Sequence, residues 1–173
     1  MELVTQRLHL RELRSDDFDA LHAILSDSET MAHYPAPFSE GKTRRWIEWN
    51  LENYRAYGFG LWAVELKDTG EFIGDCGITL QNIHGQQLPE VGYHIRKDRQ
   101  RKGYASEAAA ACIRVGFEHF RFPALYSYMK YTNVASYRTA MKNGMTFVEE
   151  YANPVDNCTR VYRITREEWE QRR

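Results

Sequence analysis

The sequence predicts an α/β domain with a mixed, mostly antiparallel sheet and flanking helices. Three features carry that prediction. Short runs with two-residue apolar alternation recur along the chain, as half-buried strands require, and longer segments repeat apolar residues at helical spacing. The two kinds interleave as β-α-α-β-β-β-α-β-α-β-β. No repeat, low-complexity tract or Gly/Ser/Pro-rich linker divides the 173 residues, a length suited to one compact domain spanning 1–173.

The first strand lies around Leu8 and Leu10, which alternate with Arg7, His9 and Arg11. Ser15, followed by Asp16 and Asp17, reads as the N-cap of a helix whose apolar face is Leu21, Ile24 and Leu25. The turn-rich stretch Tyr34-Pro-Ala-Pro-Phe38 leads to Ser39 and a second helix ending near Gly58. Leu61 to Leu66 and Glu71 to Leu80 read as strands joined by Lys67-Asp-Thr-Gly70, whose Asp and Gly are hairpin chemistry. A polar loop through Gly85 leads to Pro89 and a short strand, Glu90 to Ile95. A long helix follows from about Tyr104 to Phe120. Its stripe of Ala105, Ala109, Cys112, Gly116 and Phe120 has small members that permit close packing on a sheet. Leu125 to Lys130 is the next strand, and Asn133 and Gly144 bracket a short helix as N-cap and C-cap. Strands at Phe147 to Tyr151 and Arg160 to Ile164 precede a polar end that reads as a helical turn.

Composition narrows the function. Forty-three per cent of residues are apolar, enough to fill a core and to exclude disorder. Lysine and arginine number 23 against 24 acids, a balance that supports neither general nucleic-acid binding nor adhesion to an acidic membrane. No apolar run approaches the ~18 residues of a membrane span. The opening Met-Glu-Leu-Val-Thr-Gln-Arg lacks the basic and apolar regions of a secretory signal, which points to a cytoplasmic protein. Cys76, Cys112 and Cys158 are odd in number and scattered, as are the six histidines, against a disulfide framework or a local metal motif.

The most informative segment runs from Glu90-Val-Gly-Tyr-His-Ile95 through Arg-Lys-Asp-Arg-Gln100-Arg-Lys-Gly103-Tyr-Ala105-Ser-Glu107. It is a strand, a basic glycine-containing turn and the start of a long helix. Free N–H groups at that helix start, with the helix dipole, make an anion site. Gly103 lets the main chain approach a ligand, and Arg101 and Lys102 add positive charge, so a phosphate or pyrophosphate is the natural occupant. Taken alone, Gly103 is equally a simple turn residue and the basic run a solvated face.

The wider sequence favours the ligand. The block resembles the acyl-CoA-binding motif of the GCN5-related N-acetyltransferase (GNAT) superfamily, (Arg/Gln)-x-x-Gly-x-(Gly/Ala), matched by Gln100, Gly103 and Ala105. Lys102-Gly-Tyr-Ala-Ser-Glu107-Ala is similar to the corresponding block of RimJ/RimL-type ribosomal-protein N-acetyltransferases. Thr5-Gln-Arg-Leu-His-Leu-Arg11, Thr69-Gly-Glu-Phe-Ile-Gly74, and Asn133-Val-Ala-Ser136 through Asn143-Gly144-Met145 resemble further segments of that group in the right order. The resemblance thus covers nearly the whole chain. It implies a GNAT-like domain with a splayed central strand pair and acetyl-CoA as cosubstrate, without a metal. The pantetheine arm would lie in the splay and pair with backbone near Ile95, while amides from Arg101 through Lys102, Gly103, Tyr104 and Ala105 to Ser106 would hold the pyrophosphate. Asn133 would contact the arm and Ser136 would sit near the departing sulfur; as plain structural residues they are an N-cap and a first-turn polar group.

One departure matters. Many family members carry a tyrosine seven residues after this asparagine as acid for the leaving thiolate, and here that position is Ala140. Ser136 is the replacement the resemblance leaves, as a hydrogen bond to sulfur. Glu90, at the start of the splayed strand, is a candidate base for the incoming ammonium, or else an exposed strand-end acid or a structural ion pair. His94 shares its strand face but lies about 13 Å along the chain, four residues at ~3.3 Å each. Tyr34, Phe38 and Trp46, with Trp49, would border the acceptor entrance; aromatic residues at helical spacing also serve as core. The activity expected is acetyl transfer to an amine, a protein α-amine or a small molecule, by direct attack. A non-catalytic CoA-binding or interaction module on the same fold is the rival, as is an anion-binding α/β domain of another type. No nucleic acid or membrane partner is expected, and a homodimer is compatible with the resemblance.

Overall fold

The computed structural model describes all residues, 1–173. Its strands are β1 (Leu3–Val4), β2 (Leu8–Glu12), β3 (Leu61–Leu66), β4 (Phe72–Ile83), β5 (Gln86–Ile95), β6 (Ala124–Lys130), β7 (Thr146–Asn153) and β8 (Asn157–Thr165). Its helices are α1 (Phe18–Leu25), α2 (Glu40–Tyr57), α3 (Tyr104–Glu118), α4 (Val134–Lys142) and α5 (Arg166–Glu170). All strands join one eight-stranded sheet in the order β1-β2-β3-β4-β5-β6-β8-β7. Every neighbouring pair is antiparallel except β5 and β6. The mixed, mostly antiparallel α/β sheet expected from the sequence is the one observed.

The large core lies on the α3 side. Leu8, Leu10, Trp62, Val64, Ile78 and Val91 from the sheet meet Ala108, Ala109, Cys112, Ile113 and Phe117 of α3. Burying a large apolar side chain contributes ~1.5–3 kcal/mol each, so this cluster dominates stability. The small stripe is required: a Cβ at Gly116 would fall 2.8 Å from a Leu125 methyl and 3.0 Å from one of Ile78. Cys76 and Cys112 meet here, Sγ to Sγ 3.6 Å, both fully buried thiols. A second cluster, on the opposite face, packs Leu13, Leu21, Leu25, Met31, Phe38 and Ile47 between α1, α2 and the sheet.

Local signals held where one turn decides them. Ser39 caps α2 by accepting from the Lys42 amide, Gly58 ends it at φ 79°, and Gly70 turns the β3–β4 hairpin at φ 72°. Three expectations are corrected. Ser15 caps nothing; it opens a single 3₁₀ turn, Ser15–Asp17, and Asp17 accepts from the Arg14 amide at 2.7 Å and from the two terminal Arg11 guanidinium nitrogens at 2.8 Å. A charged acceptor with a bidentate partner outcompetes a serine hydroxyl. The polar loop through Gly85 is a tight turn instead, with His84 at φ 49° and Gly85 at φ 80° joining β4 directly to β5. The His84 ring stacks on Tyr151, centroids 4.3 Å apart, and the Tyr151 hydroxyl accepts from the His84 amide. The long helix ends at Glu118. No helix is long and apolar enough to cross a membrane.

Candidate active site

The site begins where two strands part. β5 pairs with β4 along its full length, from Ile83↔Gln86 to Gly74↔Ile95. Toward β6 it makes one register match, Glu90↔Tyr126, and then diverges. Pro89 precedes that match, on the part of the strand that β6 does not pair, where a missing N–H breaks no ladder. Just beyond Glu90 the Val91 carbonyl still accepts from Ser127 Oγ of β6 at 3.3 Å, and past Val91 the edge of β5 that points away from β4 has no further register match with β6, so the gap opens there. Val91, Ala109, Ser127 and Ala140 line a small apolar void beneath it.

At one end of the gap sits the basic turn. Arg101 and Gly103 both take left-handed backbone, φ 59° and 82°, and Gly103 is the N-cap of α3. The resulting curl leaves the amides from Arg101 to Ser106 without any protein acceptor; the first helical amide to find one is Glu107, on the Gly103 carbonyl at 3.0 Å. A run of free donors at a helix start is an anion cradle. Arg101 and Lys102 are exposed beside it. Gln100 is tied elsewhere: its amide donates to the Ile95 carbonyl at 2.9 Å and holds the end of β5 against the turn. That bond engages one of the carbonyl's two lone pairs. Arg7, just before β2, lies over the Tyr104 ring at 4.5 Å and donates to the Lys102 carbonyl and to Glu107, bracing the turn. The chain thus fits a phosphate-bearing ligand such as acetyl-CoA at this turn.

The two faces of β5 present different chemistry. Val91 and Tyr93 face α3 and α4. The Tyr93 hydroxyl donates to the Ser136 carbonyl at 2.9 Å and lies 3.3 Å from Ser136 Oγ. Burial pushes the Tyr93 phenol up to about 12, keeping it protonated. Asn133 accepts from the Ser136 amide at 3.2 Å and caps α4. Ala140 is buried below, lining the same void as Tyr93.

Glu90, Gly92 and His94 face the other way, toward α2 and the segment before it. The Glu90 carboxylate is buried and receives no donor from the protein. Burial first, and the neighbouring Asp75 charge second, push its carboxyl up to about 8. It folds back along the strand over Gly92, so it lies closer to His94 than residue spacing suggests. His94 Nδ1 meets Asp75 Oδ1 at 2.8 Å, and Nε2 meets the Tyr34 hydroxyl at 2.7 Å. Trp46 Nε1 donates to the second Asp75 oxygen at 3.1 Å. Tyr34 as a whole is 42% exposed, but its hydroxyl turns inward, and burial followed by the Glu90 and Asp75 charges raises its pKa. Trp49 packs on Trp46, centroids 5.2 Å apart. Phe38 does not line this pocket; it is 5% exposed, in the second core, edge-on beneath Trp46 at 5.4 Å.

The structure therefore brings together Tyr34, Trp46, Glu90 and His94 on one side of β5, and Asn133, Ser136 and the turn at Gly103 on the other. Sequence reasoning missed Asp75 and Tyr93. An isolated acid inside the apolar run Ile73-Gly-Asp-Cys-Gly-Ile78 was the available signal for Asp75.

Residues 7–146 match the family model described as an acetyltransferase (GNAT) domain. The uncharacterized protein YkkB of Bacillus subtilis (strain 168) is 39% identical over 84% of this chain and 86% of its own length. An acetyltransferase from Agrobacterium tumefaciens str. C58 superposes with a TM-score of 0.81 at 30% identity, covering 95% of this chain and 94% of that one. RimL, a ribosomal L7/L12 α-N-protein acetyltransferase solved with coenzyme A, shares the fold at TM-score 0.77 and 17% identity, over 94% and 96% of the two chains. By its sequence, its sheet and its parted strands, this chain belongs to the GNAT acetyltransferase family.

Proposed function

We propose that the chain transfers acetyl from acetyl-CoA to an amine nitrogen by direct attack, the acceptor being a protein α-amine or a small-molecule amine, as in RimJ/RimL-type enzymes. One observation carries this reading: the gap beside β5 has amides without a protein acceptor at its end, hydroxyls on one face and a buried carboxylate on the other. At the thioester the hydroxyls can serve the leaving sulfur and the carboxylate the amine proton, while the amides anchor the far end of the cosubstrate.

The amides from Arg101 to Ser106 hold the pyrophosphate, and Arg101 and Lys102 add charge. Asn133 contacts the arm while it caps α4. Ser136, with Tyr93 beside it, donates a hydrogen bond to the leaving sulfur, the place where Ala140 supplies nothing. Free N–H groups of β5 in the gap stabilise the developing oxyanion. Tyr34, Trp46 and Trp49 border the acceptor entrance, and Phe38 supports Trp46 from below.

Glu90 receives the proton that the acceptor must lose. An α-amine of pKa near ~7.8 is about one-seventh neutral at pH 7, whereas a lysine-like amine near ~10.4 is neutral in about one part in 2,500. A carboxylate whose pKa lies close to the working pH is well matched to that task. Thiol release from acetyl-CoA, measured across a panel of amines, tests the proposal. Release that depends on one amine class is expected; release no faster than hydrolysis with every amine would overturn it.

A further inference from the structure

An acceptor has to reach the face of β5 that carries Glu90. Tyr126 of β6 stands opposite Glu90, and Tyr126 and Tyr128 alternate with Leu125 and Met129 of the α3 core. Both tyrosines therefore share the Glu90 face, where they are half-buried. Two residues on from that match lie Gly92, over which the Glu90 carboxylate folds, and Tyr128. The Tyr128 hydroxyl donates to Gln81 Oε1 at 3.3 Å, and Gln81 Nε2 donates to Thr79 Oγ1 at 3.1 Å, with Thr79 opposite Glu90 on β4. A hydrogen-bonded chain from β4 to β6 thus crosses over β5 beside Glu90.

The β4–β5 hairpin bends over this face. Gln86 stands four residues before Glu90, whereas Tyr151, through Thr159 of β8, is level with Lys130, four residues after Tyr126. In a flat sheet, eight residues at ~3.3 Å and three strand spacings at ~4.8 Å would put the turn and Tyr151 about 30 Å apart. Instead the His84 ring stacks on Tyr151 at 4.3 Å, and His84 Nδ1 meets Glu149 at 3.1 Å. The turn is pinned to the edge strand β7, and the hairpin crosses β6 and β8 to get there. A second crossing lies at the other end of the strands. The segment before α2 is tied by Glu29 to Lys97 after β5 at 2.6 Å, by Tyr34 to His94 of β5 at 2.7 Å, and by His33 to Thr132 after β6 at 3.2 Å. It bridges the gap where the strands have parted.

We infer that these two crossings reserve the Glu90 side for small-molecule primary amines on a narrow, unbranched stem, and bar amines carried on a folded protein. The inference rests on the proposed acetyl transfer with the acceptor on the Glu90 side of β5, and narrows it to one class of acceptor. A folded protein presents its amines on a convex surface. To bring one to a buried carboxylate it would have to unravel several residues and thread them between the hairpin and the segment before α2, at a cost of ~1–2 kcal/mol of backbone order for each. A small amine brings its nitrogen in without that cost. The chemistry at the end of the route suits a cation on a hydrocarbon stem: the Glu90 carboxylate accepts from N–H, and the half-buried tyrosine rings of β6 lie beside the methylenes. His84 and His33 determine specificity by holding the two crossings in place.

The test compares acetyl transfer to n-butylamine, tert-butylamine, a short unstructured peptide and a folded lysine-rich protein, each rate divided by the neutral fraction of its amine. Wild type should prefer n-butylamine over each of the others by about tenfold or more in kcat/KM. His84→Ala removes the ring that pins the hairpin, and His33→Ala removes one tie of the bridging segment. His84 is exposed and His33 half-buried, outside both cores, so both variants should fold. Each should narrow the n-butylamine preference about fivefold or more while the KM for acetyl-CoA stays unchanged, a change of selectivity that a purely structural residue would not produce. A wild-type preference for the branched amine, the peptide or the protein, or selectivity unmoved in both variants, would overturn the inference and leave acetyl transfer standing. Absence of transfer to every amine of the wider panel would instead remove the proposed reaction, and the inference with it.

Discussion

The Glu90 carboxylate occupies the space that a side chain at Gly92 would need: a Cβ built there falls 2.8 Å from Oε2 and 3.2 Å from Oε1. The obstacle is the end of a flexible side chain, so a methyl group would displace Glu90 without straining the sheet. Gly92→Ala should therefore lower kcat about tenfold and shift its pH dependence, with stability changed by less than ~1 kcal/mol. A pH–rate profile paired with thermal melting separates the two effects.

Glu90 itself couples activity to stability in opposite senses. Its folded pKa is raised from 4.5 to about 8, so the folded chain binds this proton more tightly than the unfolded chain. The sign follows from linkage: stability from this group is fully present below about 4.5, is lost as pH rises toward about 8, and stays lost above it. Glu90→Gln should remove that loss and exceed wild type in stability at pH 8.5 by on the order of a few kcal/mol, with little difference at pH 4.5. Turnover should move the other way. Wild-type kcat should rise with pH through about 8, while the variant stays low and follows only the neutral fraction of the acceptor, most visibly for amines of high pKa. Melting and initial rates at matched pH values check both.

Gly103 sits at φ 82°, where a side chain is strained by ~1–2 kcal/mol, and its Cβ would come 3.2 Å from Arg7 Nη2. Gly103→Ile should weaken acetyl-CoA binding at least tenfold by withdrawing the amide cradle, while the sheet and α3 still fold. Titration calorimetry with acetyl-CoA reads the loss directly.

Asn133 and Ser136 separate capping from chemistry. The cap of α4 is the Asn133 carbonyl oxygen on the Ser136 amide, a bond that survives loss of the Ser136 hydroxyl. Asn133→Ala should thus cost ~0.5–2 kcal/mol of stability. Ser136→Ala should leave melting unchanged and lower kcat by roughly 10²-fold or less, more than it raises the KM for acetyl-CoA. Chemical denaturation and steady-state kinetics on both variants decide the assignment.

What the sequence determined by itself is local. The turn at Gly103, the Lys67–Gly70 hairpin and the caps at Ser39 and Asn133 depend on residues within one turn of each other, so their chemistry is visible in order along the chain. The basic turn entering a long small-residue helix was legible for the same reason, and so was the family. Competition between near neighbours was harder: Asp17 outbids Ser15 because Arg11 folds onto it from the adjacent strand. The acceptor side belongs to the tertiary structure alone. Asp75 meets His94 across 19 residues and Trp46 across 29, and Tyr34 meets His94 across 60. No periodicity relates those positions. They converge because β5 runs antiparallel to β4 in a register that sets His94 opposite Asp75, and because the second core seats α2 and the Tyr34 segment over that pair. The same packing buries Phe38 and turns the Tyr34 hydroxyl inward, since the aromatic surface that one element must hide is decided by the element lying against it.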